Sequence, residues 1–128
     1  MSVAVLDSSA VLAVILEEPG AEFVRALTAS AKVISAVNFE EVRTKLIDRG
    51  MRAHEALEAL TKMRLQVEAF TDADAVRASD LRIVTKEAGL SLGDRACLAL
   101  GQRLNAVVVT ADRIWKDLQV RVSVELIR

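Results

Sequence analysis

The stretch Val3-Ala4-Val5-Leu6-Asp7-Ser8-Ser9-Ala10 constrains this chain more than any other. Four apolar residues run straight into an acid, two hydroxyls follow, and the apolar run Ala10 to Leu16 comes next. A short apolar run bounded by turn-type residues reads as a strand buried on both faces. The segment after it reads as a helix, so Asp7 stands at the carboxyl end of a buried strand. In open parallel α/β sheets that rim is where ligands bind. The far end of the chain repeats the pattern, with Ala106-Val107-Val108-Val109-Thr110-Ala111-Asp112 delivering a second acid at a strand exit. Side by side, two such strands bring two carboxylates to one edge.

The length of 128 residues predicts one domain, 1–128, with enough chain for a real core. Hydrophobic residues at 52% and charged residues at 27% exclude disorder. With aromatics at 3% and no Tyr, the core must be Leu, Val, Ile and Ala, as suits helices packed on a parallel sheet. A net charge of -1 gives no sign of a general nucleic-acid or membrane binder, so any nucleic-acid contact must come from a local patch or from metal ions. The single Cys97, inside Ala96-Cys97-Leu98-Ala99-Leu100, reads as a small core residue, and no CxxC or Cys/His zinc spacing occurs. No Lys or Arg precedes Arg25 and Asp7 interrupts the first apolar stretch, which argues against a secretory signal. Residues 10–16 are far short of the roughly 20 needed to span a bilayer. The expectation is a reduced, cytoplasmic protein with no membrane partner.

Taken in order, the strand near 3–7 leads into a helix capped by Ser8 or Ser9 and running to about Glu18, where Pro19-Gly20 stops it. A second helix is predicted over about 21–30, and a strand over Lys32 to Ala36. Asn38 is a good N-cap for a helix over about 39–49, and a further helix fits 52–64. Leu65 to Phe70 alternates apolar and polar, as an edge strand does; Thr71 or Asp72 then caps a helix over about 73–88. Ser91-Leu92-Gly93-Asp94 opens a helix apolar nearly all round, hence buried. Strand 106–110, a short helix near 113–118 and a strand within Val120 to Ile127 complete the chain. Strands alternating with helices predict an α/β fold on a parallel sheet with right-handed crossovers.

Acids fall at the predicted rim in four places: Asp7, the pair Glu40-Glu41, Asp94 and Asp112. Each has an ordinary explanation, since acids at helix starts complement the dipole, Asp112 can cap, and Ser91-x-x-Asp94 resembles a capping box. Caps do not need acids gathered at one edge of one sheet, however. Carboxylates packed together repel, and a divalent cation relieves that. Oxygen ligands without His or Cys suit Mg²⁺ or Mn²⁺. An ion held that way activates water, orients a phosphodiester and stabilises the leaving oxygen. His54 lies on the polar side of its helix, and there is no GxGxxG, Walker loop, GxSxG or SxxK.

The segments VLDSSA, ISAVNFEEV, LSLGDRACLAL and TADR, followed by a valine-rich strand ending in Leu-Ile-Arg, are similar in order and spacing to the PIN-domain nucleases. The chain resembles most closely the VapC-type toxins of bacterial toxin–antitoxin pairs. The resemblance implies a three-layer α/β/α fold around a central, mainly parallel sheet of four to five strands. It also implies a metal-dependent endoribonuclease toxin, a homodimer, and a small antitoxin whose tail occupies the groove. Carried over residue by residue, the acids are Asp7, Glu41, Asp94 and Asp112. Asp7 and Asp94 would be the primary Mg²⁺ or Mn²⁺ ligands, with Glu41 and Asp112 completing the site directly or through water. Thr110 matches a supporting hydroxyl, and Ser8 is a further one. Arg95, Arg113 and Lys116 adjoin these acids and are candidate phosphate contacts. Helical periodicity alone leans slightly to Glu40, and only the resemblance favours Glu41. Two other readings stand beside this one: a phosphatase or phospho-acceptor domain using Asp7, and a non-catalytic PIN-like module that binds RNA or protein.

Overall fold

The computed structural model describes residues 2–29 and 31–128. Its strands are β1 (Val3–Leu6), β2 (Ala31–Ser35), β3 (Gln66–Glu68), β4 (Val107–Thr110) and β5 (Val124–Leu126). They form one sheet in the order β3-β2-β1-β4-β5, and every pairing is parallel. The helices are α1 (Ser8–Ile15), α2 (Ala21–Arg25), α3 (Ala36–Asp48), α4 (Ala53–Lys62), α5 (Asp72–Thr85) and α6 (Leu92–Leu104).

Side chains alternate across the pleat. Ala4, Leu6, Ile34 and Val109 pack under residues of α1 to α4, while Val5, Val33 and Val108 pack under α5, α6 and Trp115. Both faces of the central strands are therefore covered, giving the three layers expected and explaining the unbroken apolar runs. β3 is an edge strand, as its alternation predicts, with Val67 exposed. In α6, residues 96–101 are all buried. Its backbone comes close to the sheet at Gly101, where a Cβ would meet Val108 Cγ2 at 2.4 Å.

Several boundaries differ from expectation for local reasons. Asp7, rather than Ser8 or Ser9, caps α1: its carboxylate accepts from the Ala10 N–H at 2.9 Å. Ser35 caps α3, accepting from the Val37 N–H at 3.2 Å, so Asn38 is carried inside the helix and is no cap. α2 ends at Arg25, short of the predicted 30, and Ser30 itself lies outside the described residues. The turn at Arg113–Asp117 is a 3-10 helix, and β5 keeps only three of the residues between Val120 and Ile127. Among the described residues no helix is long and apolar enough to cross a membrane.

The strand order positions the site. From β1 the chain leaves towards β2; from β4 it leaves the opposite way, towards β5. Two neighbouring parallel strands whose connections diverge leave a crevice at their carboxyl ends. Asp7 follows β1 at that point, and its N–H bonds to Val109 O of β4 at 3.0 Å.

Candidate active site

Asp7 is 4% exposed and both its oxygens are engaged. Oδ1 accepts from Ser9 Oγ at 2.7 Å and from the Ala10 N–H; Oδ2 accepts from Thr110 Oγ1 at 2.6 Å. The same hydroxyls accept from the turn after β4, Thr110 from the Asp112 N–H at 3.0 Å and Ser9 from the Ala111 N–H at 2.9 Å. Two hydroxyls thus lock the Asp112 turn onto Asp7 across the switch point. Burial pushes the Asp7 carboxyl up to about 6 from an ordinary 3.8; bonds from Thr110, Ala10 and Ser9 oppose the rise, and the charge of Asp94 adds to it.

Glu41, on α3, faces the same rim. Its Oε1 accepts from Ser8 Oγ at 2.7 Å and from Asn38 Nδ2 at 2.9 Å. Its carboxylate lies directly over Gly93 of α6. Glu40 is exposed and accepts from Thr44 on its own helix.

Asp94 and Asp112 are half-buried and act as the caps that ordinary helix chemistry predicts. Asp94 Oδ2 accepts from the Ser91 N–H at 2.9 Å, while Ser91 Oγ accepts from the Asp94 N–H at 3.2 Å. Asp112 Oδ1 accepts from the Ile114 N–H at 3.1 Å. Burial, then the charges of Asp7, Asp94 and Glu41, push the Cys97 thiol well up.

The basic candidates are turned to backbone. Arg95 Nη1 donates to Ala78 O at 3.0 Å, Arg113 Nη1 to Arg128 O at 2.9 Å, and Lys116 Nζ to Val124 O at 2.7 Å. Sequence reasoning left three members of this site unassigned: Ser9, Asn38 and Gly93. Ser9 carries a local signal, standing two residues after Asp7 in the first turn of α1. Asn38 and Gly93 are placed by α3 meeting α6, which no local pattern shows.

The donors are all hard oxygens and suit Mg²⁺ or Mn²⁺. As the side chains stand, among the described residues no three His, Cys, Asp or Glu residues are gathered closely enough to hold an ion. The carboxylates of Asp94 and Asp112 are engaged by hydrogen bonds to the backbone N–H groups of Ser91 and Ile114.

A model of the PIN domain matches residues 4–120. A comparison with curated proteins returns no match. Among solved structures, a DNA-bound VapBC from Salmonella typhimurium superposes with TM-score 0.80 at 18% identity, covering 100% of both chains. VapBC-5 from Mycobacterium tuberculosis, a member of the VapBC family of toxin–antitoxin systems, gives TM-score 0.69 at 23% identity, over 100% of this chain and 99% of that one. A VapC toxin from Mycobacterium tuberculosis that cleaves the sarcin–ricin loop gives TM-score 0.75 at 17% identity, over 88% and 92% of the two chains. At these identities the likeness speaks to the fold.

Proposed function

Because the chain belongs to the PIN-domain family, we propose that it is a metal-dependent endoribonuclease acting as a toxin, restrained by a small antitoxin. The observation that supports this best is the buried Asp7 at the switch point, with Glu41 bonded to Ser8 beside it and packed against Gly93, the residue before Asp94. Asp7 and Asp94 would hold Mg²⁺ or Mn²⁺, with Glu41 and Asp112 completing the site directly or through water. When bound, the ion supplies water activation and charge stabilisation for the phosphodiester.

The chain's own residues prepare the rest. Ser9 and Thr110 hold both Asp7 oxygens and tie them to the Asp112 turn, so one acid's position sets the other's. Ser8 and Asn38 orient Glu41. An aspartyl-phosphate route fits less well, because an Asp nucleophile of that kind wants a second acid two residues on, and Ser9 stands there. The antitoxin and RNA assignments draw on the similar structures, which are VapBC systems and a toxin that cuts an RNA loop.

The test is RNA cleavage by the purified chain with Mg²⁺ or Mn²⁺ and with a chelator, for the unmodified protein and for Asp7→Asn and Asp94→Asn. Cleavage only with the metal, lost in both variants, is the expected result. Asp94→Asn also weakens a cap, at about 1 kcal/mol, so melting is followed alongside. Full activity in chelator would overturn the reading.

A further inference from the structure

We infer that Asn38 is a positioning residue which, together with the bare Cα of Gly93, sets the Glu41 carboxylate against the first turn of α6, where Asp94 stands. The inference rests on the nuclease reading above.

Asn38 lies one turn before Glu41 on α3 and is 1% exposed. A buried amide must be hydrogen-bonded to be tolerated. Its Nδ2 is 2.9 Å from Glu41 Oε1, 3.0 Å from Gly93 O and 3.3 Å from Ser8 Oγ. An amide nitrogen has two N–H groups, and the two shorter contacts claim them. One goes to the acid of α3; the other goes to the carbonyl immediately before Asp94. Ser8 adds its own proton to Glu41 Oε1 at 2.7 Å.

The amide's orientation follows from this use. Its Oδ1 is buried with no hydrogen-bond partner. Turning the amide over would set that carbonyl against a carboxylate, so the N–H side faces Glu41 and Oδ1 is left over. Gly93 makes the same point sterically. It lies within a regular helix, where the backbone asks for no glycine. A Cβ there would stand 2.2 Å from Glu41 Oε2, 2.3 Å from Oε1 and 2.4 Å from Cδ. The carboxylate occupies the volume that a side chain at 93 would fill.

A purely structural tie between α3 and α6 makes different predictions. Gly93→Ala deletes no donor or acceptor of its own and improves helix propensity; the three atoms nearest its Cβ belong to the flexible end of Glu41, which must shift against its bonds from Ser8 and Asn38. Its melting temperature is therefore expected to change little, the gain in propensity offsetting the bonds that Glu41 loosens. RNA cleavage and Mn²⁺ affinity are expected to fall about tenfold or more, as when a group supporting a metal ligand is lost. Mn²⁺ affinity is read from quenching of Trp115, the chain's one tryptophan in the absence of Tyr, whose backbone N–H bonds Asp112 O at 3.2 Å. Asn38→Leu, which deletes the donors at similar volume, is the second variant and should lose both readouts to a similar degree. In a Glu41→Asp background the shorter acid recedes from position 93, so Gly93→Ala should cost much less there.

Unchanged cleavage and Mn²⁺ affinity in Gly93→Ala and Asn38→Leu would overturn the inference. So would an equal loss from Gly93→Ala in the Glu41 and Glu41→Asp backgrounds, since Ala at 93 would then act other than through the carboxylate. If the unmodified protein neither binds Mn²⁺ nor cuts RNA, the nuclease reading itself falls and takes this inference with it, a distinct result.

Discussion

Glu40 and Glu41 are neighbours in sequence but about 100° apart around α3. The buried stripe of that helix is Asn38, Val42 and Leu46, all at most 1% exposed. Glu41 borders this stripe one turn on from Asn38, whereas Glu40 lies on the side of Ile47, which is 38% exposed. Periodicity leaned to Glu40 because it set that acid beside Ile47 at the apolar boundary of a face marked by Phe39, Val42 and Leu46. Glu41→Gln is expected to cut the cleavage rate severely with little change in melting, and Glu40→Gln to do neither. The reverse ranking in a paired cleavage and melting assay would reject Glu41 as the working acid. Thr110 bears on stability as well. Thr110→Val keeps the shape but strips a donor from Asp7 Oδ2 and an acceptor from the Asp112 N–H, both at a buried residue. A loss of about 1–3 kcal/mol is expected from denaturant unfolding.

Among the elements, α5 and α6 are joined by an ion pair as well as by their apolar faces. Arg103 near the end of α6 donates to both Asp74 oxygens, at 2.9 and 3.1 Å, and to Ala69 O at 3.3 Å. Asp74 also closes the capping box of α5 with Thr71. Burial alone would raise the Asp74 carboxyl, but the bonds and charge of Arg103 and the bonds from Thr71 outweigh it and hold it below its ordinary 3.8. A carboxyl lowered in the folded state contributes stability above its unfolded pKa and loses it as pH falls through the folded value. The melting gap between the unmodified protein and Asp74→Asn should therefore be full near neutral pH and close below about pH 4. A gap that widens on acidification would contradict the assignment.

For the whole molecule, what matters is where the sheet changes direction. α1 and α2 follow β1 to one side, while the chain after β4 turns to the other, so the acids after β1 and β4 meet at the divide. Assembly belongs to this scale too. Homodimer formation is expected from the resemblance to VapC-type toxins. Light scattering should then give twice the chain mass of 13.9 kDa, and a monomer mass across micromolar concentrations would count against it.

The sequence by itself determined the alternation of strands and helices, the edge character of β3, the buried α6, and the family through four motifs in order. These are legible because apolar periodicity and strand-end acids are local signals. It also narrowed the cap of α5 to Thr71 or Asp72, of which Thr71 serves, and set the box at Ser91 and Asp94. Tertiary structure decided the rest. Asn38 looked like a cap because Asn is one of the better capping residues, but Ser35 started the helix earlier and sent the amide inside. Ser9 looked like a helix start, and became the link between Asp7 and Ala111 only because β1 and β4 are neighbours. Gly93 looked like an ordinary small residue until α3 laid a carboxylate over it. The Ser35 cap is local, but the contacts that Asn38, Ser9 and Gly93 then make join groups 30 to 102 residues apart in sequence, as in the bonds Ser8–Asn38 and Ser9–Ala111, and no pattern within one window encodes such a meeting.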